Sequence, residues 1–124
     1  MEAPKILGLR TTIYKVDNLE KAIEWYTKVF GVPPYFNEPF YVGFNINGYE
    51  LGLQPEDSNP IEKSENVLSY WGVENIKKMY QHLISLGATS HEKPTNVGGK
   101  IMVATVKDPW NNILGIIYNP EFKI

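Results

Sequence analysis

The chain has 124 residues, of which 43% are hydrophobic and 21% charged, with a formal net charge of −2 and no cysteine. This length suits one globular domain, and the lack of cysteine excludes a disulfide scaffold, a thiol nucleophile and a thiolate metal site. The acidic balance and the absence of any Lys/Arg run longer than two residues argue against nucleic-acid binding. Since no window approaches the ~18 apolar residues of a membrane span, we expect a soluble, cytoplasmic protein that binds neither nucleic acid nor membrane.

The first half of the chain reads as strand, helix and three further strands. A strand-like run from Leu7 to Val16 comes first, and Asp17 or Asn18 can cap the helix that follows. Gly31 can end that helix. Apolar residues recur between these points at i, i+3, i+4, i+7 spacing, which predicts an amphipathic helix: Leu19, Ala22, Ile23, Tyr26 and Phe30. Strand-like runs then cover residues 35–36, 40–46 and 49–53, and an Asn47-Gly48 pair predicts a tight hairpin between the last two.

The second half repeats this order after a polar stretch, Pro55 to Asn66, that we interpret as a linker. A strand-like run from Val67 to Val73 precedes a second helical stripe, closed by Gly87: Ile76, Met79, Tyr80, Leu83 and Leu86. Strand-like runs follow at residues 88–92, 101–106 and 113–118.

Two pairs of matching segments indicate an internal repeat. Val16-Asp17-Asn18-Leu19-Glu20-Lys21 matches Val73-Glu74-Asn75-Ile76-Lys77-Lys78 at an offset of 57, and Glu50-Leu51-Gly52-Leu53 matches Ile113-Leu114-Gly115-Ile116 at an offset of 63. We therefore predict an α+β fold in a single domain, 1–124, with two βαβββ modules in tandem, at about 5–55 and 67–120. These modules should form a curved mixed sheet with the helices outside and a concave inner pocket.

Two segments carry a resemblance to a known family. Residues 19–31 (LEKAIEWYTKVFG) resemble the first helix of the glyoxalase and bleomycin-resistance group, also called the vicinal oxygen chelate superfamily, which includes the extradiol dioxygenases. Residues 105–115 (TVKDPWNNILG) resemble the penultimate hairpin of the same group. The resemblance extends over residues 7–118 and implies paired βαβββ modules and a homodimer. The group includes isomerases, dioxygenases, antibiotic-modifying enzymes and drug-binding proteins, so the resemblance names a fold more than a reaction.

Catalytic members of this group hold a divalent metal with four His- or Glu-type side chains, and the metal acts as a Lewis acid. The motif registers carry those four positions to Thr11, Gly52, Leu68 and Gly115. Because glycine and leucine offer no donor and a lone threonine hydroxyl is a poor ligand, we expect no metal and no other cofactor. Neither histidine changes this expectation: we place His82 on the solvent side of the second helix and His91 near a sheet edge.

The two glycines at former ligand positions suggest a ligand pocket. Gly52 and Gly115 would leave empty volume on the inner sheet face, where an organic molecule could bind; the alternative is a packed core filled by Ile113 or Ile117. Strand parity gives the lining: Thr11, Ile13, Gly52, Gln54, Leu68, Gly115 and Ile117. Trp110 can flank the pocket, contact a dimer partner or anchor the fold. By the same parity, the residues that pack under the helices are Tyr14, Val16, Trp71 and Val73.

We accordingly expect a binding module that sequesters or senses a small organic ligand. The alternative is a metal-independent lyase or isomerase in which Glu50 is the general base and Tyr70 the proton donor. A classical metal-dependent glyoxalase is the third option, and the four substitutions argue against it. An aromatic-rich segment also stands out, but parity does not decide which of its rings face the pocket: Tyr35, Phe36, Phe40, Tyr41 and Phe44.

Overall fold

Ten helices and strands make up the described part of the chain, residues 3–56 and 62–122 of a computed structural model. The first module contains β1 (Thr11–Val16), α1 (Leu19–Phe30), β2 (Phe36–Glu38), β3 (Tyr41–Ile46) and β4 (Tyr49–Pro55). The second contains β5 (Tyr70–Gly72), α2 (Ile76–Ser85), β6 (Thr89–Gly98), β7 (Ile101–Lys107) and β8 (Ile113–Tyr118). The predicted repeat of βαβββ modules is therefore confirmed.

The two modules have the same sheet topology. Their strand orders are β1-β4-β3-β2 and β5-β8-β7-β6. In each sheet the first and last strands of the module pair in parallel, while the other neighbours are antiparallel. Over residues 3–56 and 62–122 the two sheets share no strand pairing, so the fold is α+β with two mixed four-stranded sheets rather than one continuous sheet, and neither closes into a barrel.

Both helices begin at an asparagine cap. Asn18 accepts a hydrogen bond from the backbone N of Lys21 at 3.0 Å, and Asn75 accepts one from Lys78 at 3.1 Å. Each cap satisfies one of the N–H groups that a helix start leaves without a partner. Gly31 ends α1 in the left-handed conformation, with φ of 72°, as predicted. In the part of the chain that the structure describes, neither helix is long and apolar enough to cross a membrane.

The Asn47-Gly48 hairpin sets the register of the first sheet. Both residues have positive φ, 52° and 92°, as a two-residue type I′ turn requires. The turn aligns Ile46 with Tyr49, and from there Gly43 with Gly52. Because side chains alternate between the two faces of a strand, this register decides which residues of β3 and β4 share a face.

Three predicted strands differ from the structure by three or more residues at one end. β1 starts at Thr11 rather than Leu7, because its partner strand β4 provides register partners only from Glu50 onward. β5 is three residues long, so Leu68 precedes it. β6 continues to Gly98 because β7 pairs with it over its whole length, through three register shifts. Of the predicted linker, residues 57–61 lie outside the described residues, and residues 62–66 form neither helix nor strand.

One cluster of buried side chains includes residues of both modules. Tyr14 and Val16 are buried in it, and Trp71 and Val73 pack against it, so the predicted placement of these four residues beneath the helices is confirmed. The modules of one chain thus meet through the faces that the helices cover. Burial of this apolar surface stabilises their association.

Hydrogen bonds between buried groups add to this contact. Tyr26 of α1 donates its hydroxyl to Asp108 Oδ2 at 2.6 Å, and both residues are buried. Trp25 Nε1 donates to the carbonyl of Leu86, at the end of α2, at 2.7 Å. These bonds hold the helix of the first module against the second module, so the opposite faces of the two sheets point outward.

Candidate functional site

The open face of the first sheet is the face turned away from the helices. Its rows follow from the register: Thr11 lies beside Glu50, and Ile13 lies beside Gly52. The alternate residues on these strands, such as Leu51, are fully buried beneath the helices. Ile13 is 46% exposed, so this face is open to solvent rather than an enclosed cavity.

Glu50 is the centre of the polar groups on this face. The hydroxyl of Tyr35 donates to its Oε1, and the hydroxyl of Tyr41 donates to its Oε2. Tyr35 is placed by a backbone hydrogen bond of 2.9 Å from its N to the carbonyl of Gly43. The carboxylate is half-buried and is held in one orientation by two phenols from different positions in the sequence.

Two glycines make this arrangement possible. A Cβ on Gly52 would lie 2.7 Å from both Cε1 and Cζ of Tyr41, and a Cβ on Gly43 would lie 3.0 Å from Cε1 of Tyr35. The tyrosine side chains therefore cross the sheet over the glycines to reach Glu50. The volume predicted above Gly52 is occupied by a tyrosine ring, and neither an empty space nor an isoleucine is found there.

Both tyrosines stay protonated at neutral pH. Desolvation, and then the hydrogen bond to Glu50, raises the pKa of Tyr41 well above its usual range. The hydrogen bond to Glu50 is the main reason that the pKa of Tyr35 is also raised. Since the charged form of tyrosine cannot donate, these shifts preserve the two O–H donors that hold the carboxylate.

The remaining predicted lining residue of the first sheet, Gln54, is half-buried beside Lys15. Thr11 is exposed at the start of β1. Both lie on the open face, as strand parity predicts. The structure therefore brings Thr11, Ile13, Glu50, Gly52 and Gln54 onto one face.

The other predicted lining residues belong to the second sheet. Tyr70 lies beside Gly115, and Ile117 lies between Gly72 and Val103. A Cβ on Gly115 would lie 2.6 Å from the carbonyl oxygen of Ser69 and 2.8 Å from Tyr70 Cδ1, so here too the predicted volume is filled. Leu68 is 40% exposed and Tyr70 is 37% exposed.

The predicted pair of Glu50 with Tyr70 does not form within the chain. The two residues belong to different sheets, and each carboxylate oxygen of Glu50 accepts from another tyrosine. Tyr35 and Tyr41 belong to the aromatic-rich segment, to which strand parity assigned no face. The face of Tyr41 could have been predicted from the hairpin, because a two-residue turn at Asn47-Gly48 places Tyr41 on the same face as Glu50.

Trp110 lies away from the open face. Its ring packs edge-on against Trp25 with centroids 6.2 Å apart, and its backbone N donates to Asp108 Oδ1 at 2.9 Å. It is partly buried against the core. Of the three predicted roles, the structure shows the anchor within the fold.

The two histidines have structural partners. His82 is partly buried rather than directed to solvent, and its Nε2 lies 3.1 and 3.2 Å from the carbonyl oxygens of Lys28 and Val29 in the last turn of α1. The prediction for His82 was wrong because the end of α1 packs over that face of α2. His91 lies on the edge strand β6, as predicted, between Glu65 Oε1 at 2.9 Å and Thr105 Oγ1 at 2.8 Å.

The residues at the family's metal positions do not fit a metal. Thr11, Gly52, Leu68 and Gly115 together supply one hydroxyl oxygen, where a divalent transition metal needs three or four nitrogen, sulfur or carboxylate donors. Over residues 3–56 and 62–122, no three His, Cys, Asp or Glu side chains are grouped so as to hold a metal ion. No chemical step is therefore assigned to a metal at this site.

Two surface depressions lie elsewhere. One, of about 310 Å³, runs between α1 and the end of α2, next to Trp25 and Leu86. The other, of about 330 Å³, is bordered by the polar side chains of Lys63, Glu65 and Lys107. Neither includes Glu50, whose distinguishing feature is its ordered polar groups rather than an enclosed volume.

Comparisons with solved structures agree with the fold. A glyoxalase-related enzyme from Fulvimarina pelagi has 18% sequence identity and a TM-score of 0.76, covering 96% of this chain and 93% of its own. The fosfomycin resistance protein FosX from Listeria monocytogenes has 16% identity and a TM-score of 0.73, covering 96% and 97%. An integron cassette protein from the Halifax Harbour sewage outfall has 23% identity and a TM-score of 0.74, covering 92% and 100%.

These structural similarities concern the fold alone, and a search of proteins with curated functions gave no match. The sequence itself matches one family over residues 8–116, nearly the whole chain. The chain belongs to the Glyoxalase/Bleomycin resistance protein/Dioxygenase superfamily.

Proposed function

We propose that this chain binds a small organic molecule on the open face of its first sheet, at Glu50, without using a metal. One observation carries the proposal: a half-buried carboxylate is held by two tyrosine hydroxyls over two glycines, on a face that the fold leaves open. A fixed polar group beside apolar side chains is the usual composition of a small-molecule site.

The surroundings of Glu50 support binding rather than packing. Ile13 and Phe36 are 46% and 38% exposed on the same face, each in register with a glycine. Apolar side chains next to an oriented carboxylate can contact the body of a ligand while the carboxylate fixes its orientation. At the four positions carried over from the family resemblance, the side chains that would bind a metal are replaced by groups that suit an organic molecule.

Catalysis by Glu50 as a general base is the second candidate. In favour of it, the carboxylate is accessible and fixed in position, as a base must be. Against it, both oxygens already accept hydrogen bonds, so a substrate proton would compete with Tyr35 and Tyr41. Stoichiometric binding is therefore the function that the geometry supports best.

We also propose that two copies of the chain associate as a homodimer in the cytoplasm, as the family resemblance implies for the dimer. Large apolar side chains are exposed on the open sides of both modules, including Ile13, Leu68 and Tyr70. A second copy that sets its second module opposite the first sheet would shelter them on the two sides of a cleft, with Tyr70 facing Glu50 across it and room for a ligand between them. Sedimentation equilibrium of the wild type and of Ile13→Glu tests this arrangement: a dimer that the variant converts to monomer supports it, and a wild-type monomer refutes it.

Ligand-observed NMR with a fragment library tests the binding function. We expect aromatic fragments to bind the wild type saturably, and Glu50→Gln to weaken them, whereas Glu74→Gln, at an exposed position before α2, should change nothing. Elemental analysis of the same sample should find transition metals well below one per chain. If the protein converts a fragment chemically, and if this activity persists in the presence of a chelator and is lost in Glu50→Gln, the lyase or isomerase is favoured instead.

A further inference from the structure

Among the described residues, no cation forms an ion pair with Glu50. Over residues 3–56 and 62–122 the ion pairs join Glu24 with Lys28, Glu56 with Lys63 and Glu65 with His91. None of them involves Glu50. The partners of Glu50 are the two neutral phenols, which orient the carboxylate and leave its negative charge in place.

The cations nearest in sequence and register have other positions. Arg10 directs Nη1 to the backbone carbonyl oxygen of Leu7 at 2.9 Å. Lys15 is exposed and lies beside Gln54, four residues along β1 from Thr11, which is the residue that pairs with Glu50. A half-buried carboxylate without a cationic neighbour attracts a positively charged group more strongly than a solvated one, because the local dielectric constant is lower.

A group of aromatic rings extends from the Glu50 carboxylate on the side of β2 and β3. Besides Tyr35 and Tyr41, the ring of Phe36 lies 6.1 Å from that of Phe40 and 6.2 Å from that of Tyr41. Tyr35 and Phe40 are largely exposed. Two rings thus contact the carboxylate through their hydroxyls, and Phe36 and Phe40 extend the aromatic surface from Tyr41.

The hydrogen bonds strengthen the attraction of these rings for a cation. A phenol that donates to a carboxylate is polarised so that its ring gains electron density, and the face of an electron-rich ring attracts ammonium groups. Because both tyrosines are held as O–H donors, this polarisation persists at neutral pH. The carboxylate and the rings therefore favour the same kind of ligand.

On the basis of the function proposed above, we propose that the ligand bound at Glu50 carries a cationic nitrogen, either a protonated or a quaternary amine, attached to an apolar or aromatic body. The ammonium group lies against the Glu50 carboxylate and the rings of Tyr35 and Tyr41. The apolar body contacts Phe36 and Ile13. The negative charge of Glu50 repels an anionic compound, and a neutral compound makes only the apolar contacts.

Three probes of similar size separate these cases: benzyltrimethylammonium, benzyl alcohol and phenylacetate. Their dissociation constants are measured by NMR titration of the ¹⁵N-labelled protein. We expect benzyltrimethylammonium to bind at least about fivefold more tightly than the other two, since a cation–π contact at an exposed site is worth about 0.5–1 kcal/mol and the carboxylate adds to it. The shifted amides should belong to β1, β3 and β4.

Variants identify which group provides the preference. Glu50→Gln keeps the shape and removes the charge, so it should reduce the preference for the cation at least about threefold, a change on the scale of one surface charge pair. Tyr41→Phe keeps the ring and removes the hydroxyl, and should lose less affinity than Tyr41→Leu. Glu74→Gln is the matched control and should bind all three probes as the wild type does, while the amide spectra of each variant report that it is folded.

The outcomes separate the two proposals. If benzyl alcohol or phenylacetate binds on this face as tightly as benzyltrimethylammonium, the ligand class is wrong while the binding function stands. Retention of the full preference for the cation in Glu50→Gln also overturns the ligand class. If no probe and no fragment shifts these amides, the binding function itself fails.

Discussion

Alanine substitutions at three strand glycines test how the tyrosine rings are held over the sheet. At Gly52 the new Cβ would lie 2.7 Å from two atoms of the Tyr41 ring, so the ring must move by about 1 Å to reach ordinary contact. This movement breaks the hydrogen bond to Glu50, worth about 0.5–1.5 kcal/mol at a half-buried site. Alanine recovers about 0.5–1 kcal/mol by restricting the unfolded chain, so the net change at Gly52 should stay within about 1 kcal/mol.

Gly115 should respond differently because the obstacle there is backbone. The Cβ would lie 2.6 Å from the carbonyl oxygen of Ser69, which cannot rotate away, and forced backbone shifts cost about 1–3 kcal/mol. Gly72 is the matched control, since a Cβ there meets nothing within 4 Å and its φ is not in the left-handed range. Gly72→Ala should therefore be neutral or slightly stabilising.

Urea unfolding of the three variants gives their free energies of unfolding. The expected order of destabilisation is Gly115→Ala, then Gly52→Ala, then Gly72→Ala. An NMR pH titration of ring-labelled tyrosine supplies the second readout. In Gly52→Ala the raised pKa of Tyr41 should move back towards its ordinary value, because the displaced ring is less desolvated and loses its hydrogen bond to Glu50. Equal destabilisation at Gly52 and Gly115, or an unchanged Tyr41 titration, would refute the reasoning.

Three further predictions concern buried hydrogen bonds, a buried carboxyl group and a helix cap. Tyr26→Phe should lower the free energy of unfolding by about 1.5–3 kcal/mol, because it removes a buried hydrogen bond to a charged group. Tyr80→Phe removes a hydrogen bond between two hydroxyls and should lower the free energy of unfolding by about 0.5–1.5 kcal/mol. Equal losses for the two variants in urea unfolding would contradict this account. Burial raises the pKa of Asp108, so the folded state holds that proton more tightly than the unfolded state. The free energy of unfolding of the wild type relative to Asp108→Asn should therefore be greatest below the ordinary carboxyl pKa and should fall as pH rises through the pKa of the folded state. If the difference in free energy of unfolding between the two proteins does not change with pH, burial is not the cause. Asn75→Ala should lower helix stability by about 1 kcal/mol, measured by thermal unfolding, through loss of the cap of α2; no change in melting temperature would show that the cap is dispensable.

Local patterns in the sequence were sufficient for the modules and most of their elements. The apolar stripe from Leu19 to Phe30, ended by Gly31, predicted α1 with its bounds, because helix periodicity and the left-handed cap are properties of neighbouring residues. The offsets of the repeat likewise align the first strands and the last strands of the modules: Ile13 beside Gly52 corresponds to Tyr70 beside Gly115. Strand bounds were less accurate, since a strand ends where its partner ends.

The composition of the site was only partly predictable. Strand parity placed Glu50, Gly52 and Ile13 on one face, but the prediction of empty volume at the glycines was wrong. What approaches them is a tyrosine of the same sheet, and this depends on side chains that cross neighbouring strands diagonally. Tyr41 could have been assigned to the face of Glu50 from the hairpin register, whereas Tyr35 precedes β2 and its position depends on one backbone hydrogen bond to Gly43.

The sequence by itself therefore determined the two βαβββ modules with their caps and turns, because each of these depends on short-range spacing. Only the tertiary structure decided that the modules of one chain meet through their helix-covered faces, and that Glu50 is held by Tyr35 and Tyr41 rather than by Tyr70. The physical reason is that alternation along a strand assigns a side chain to a face. Its neighbour on that face is set by pairing between strands and by packing between sheets.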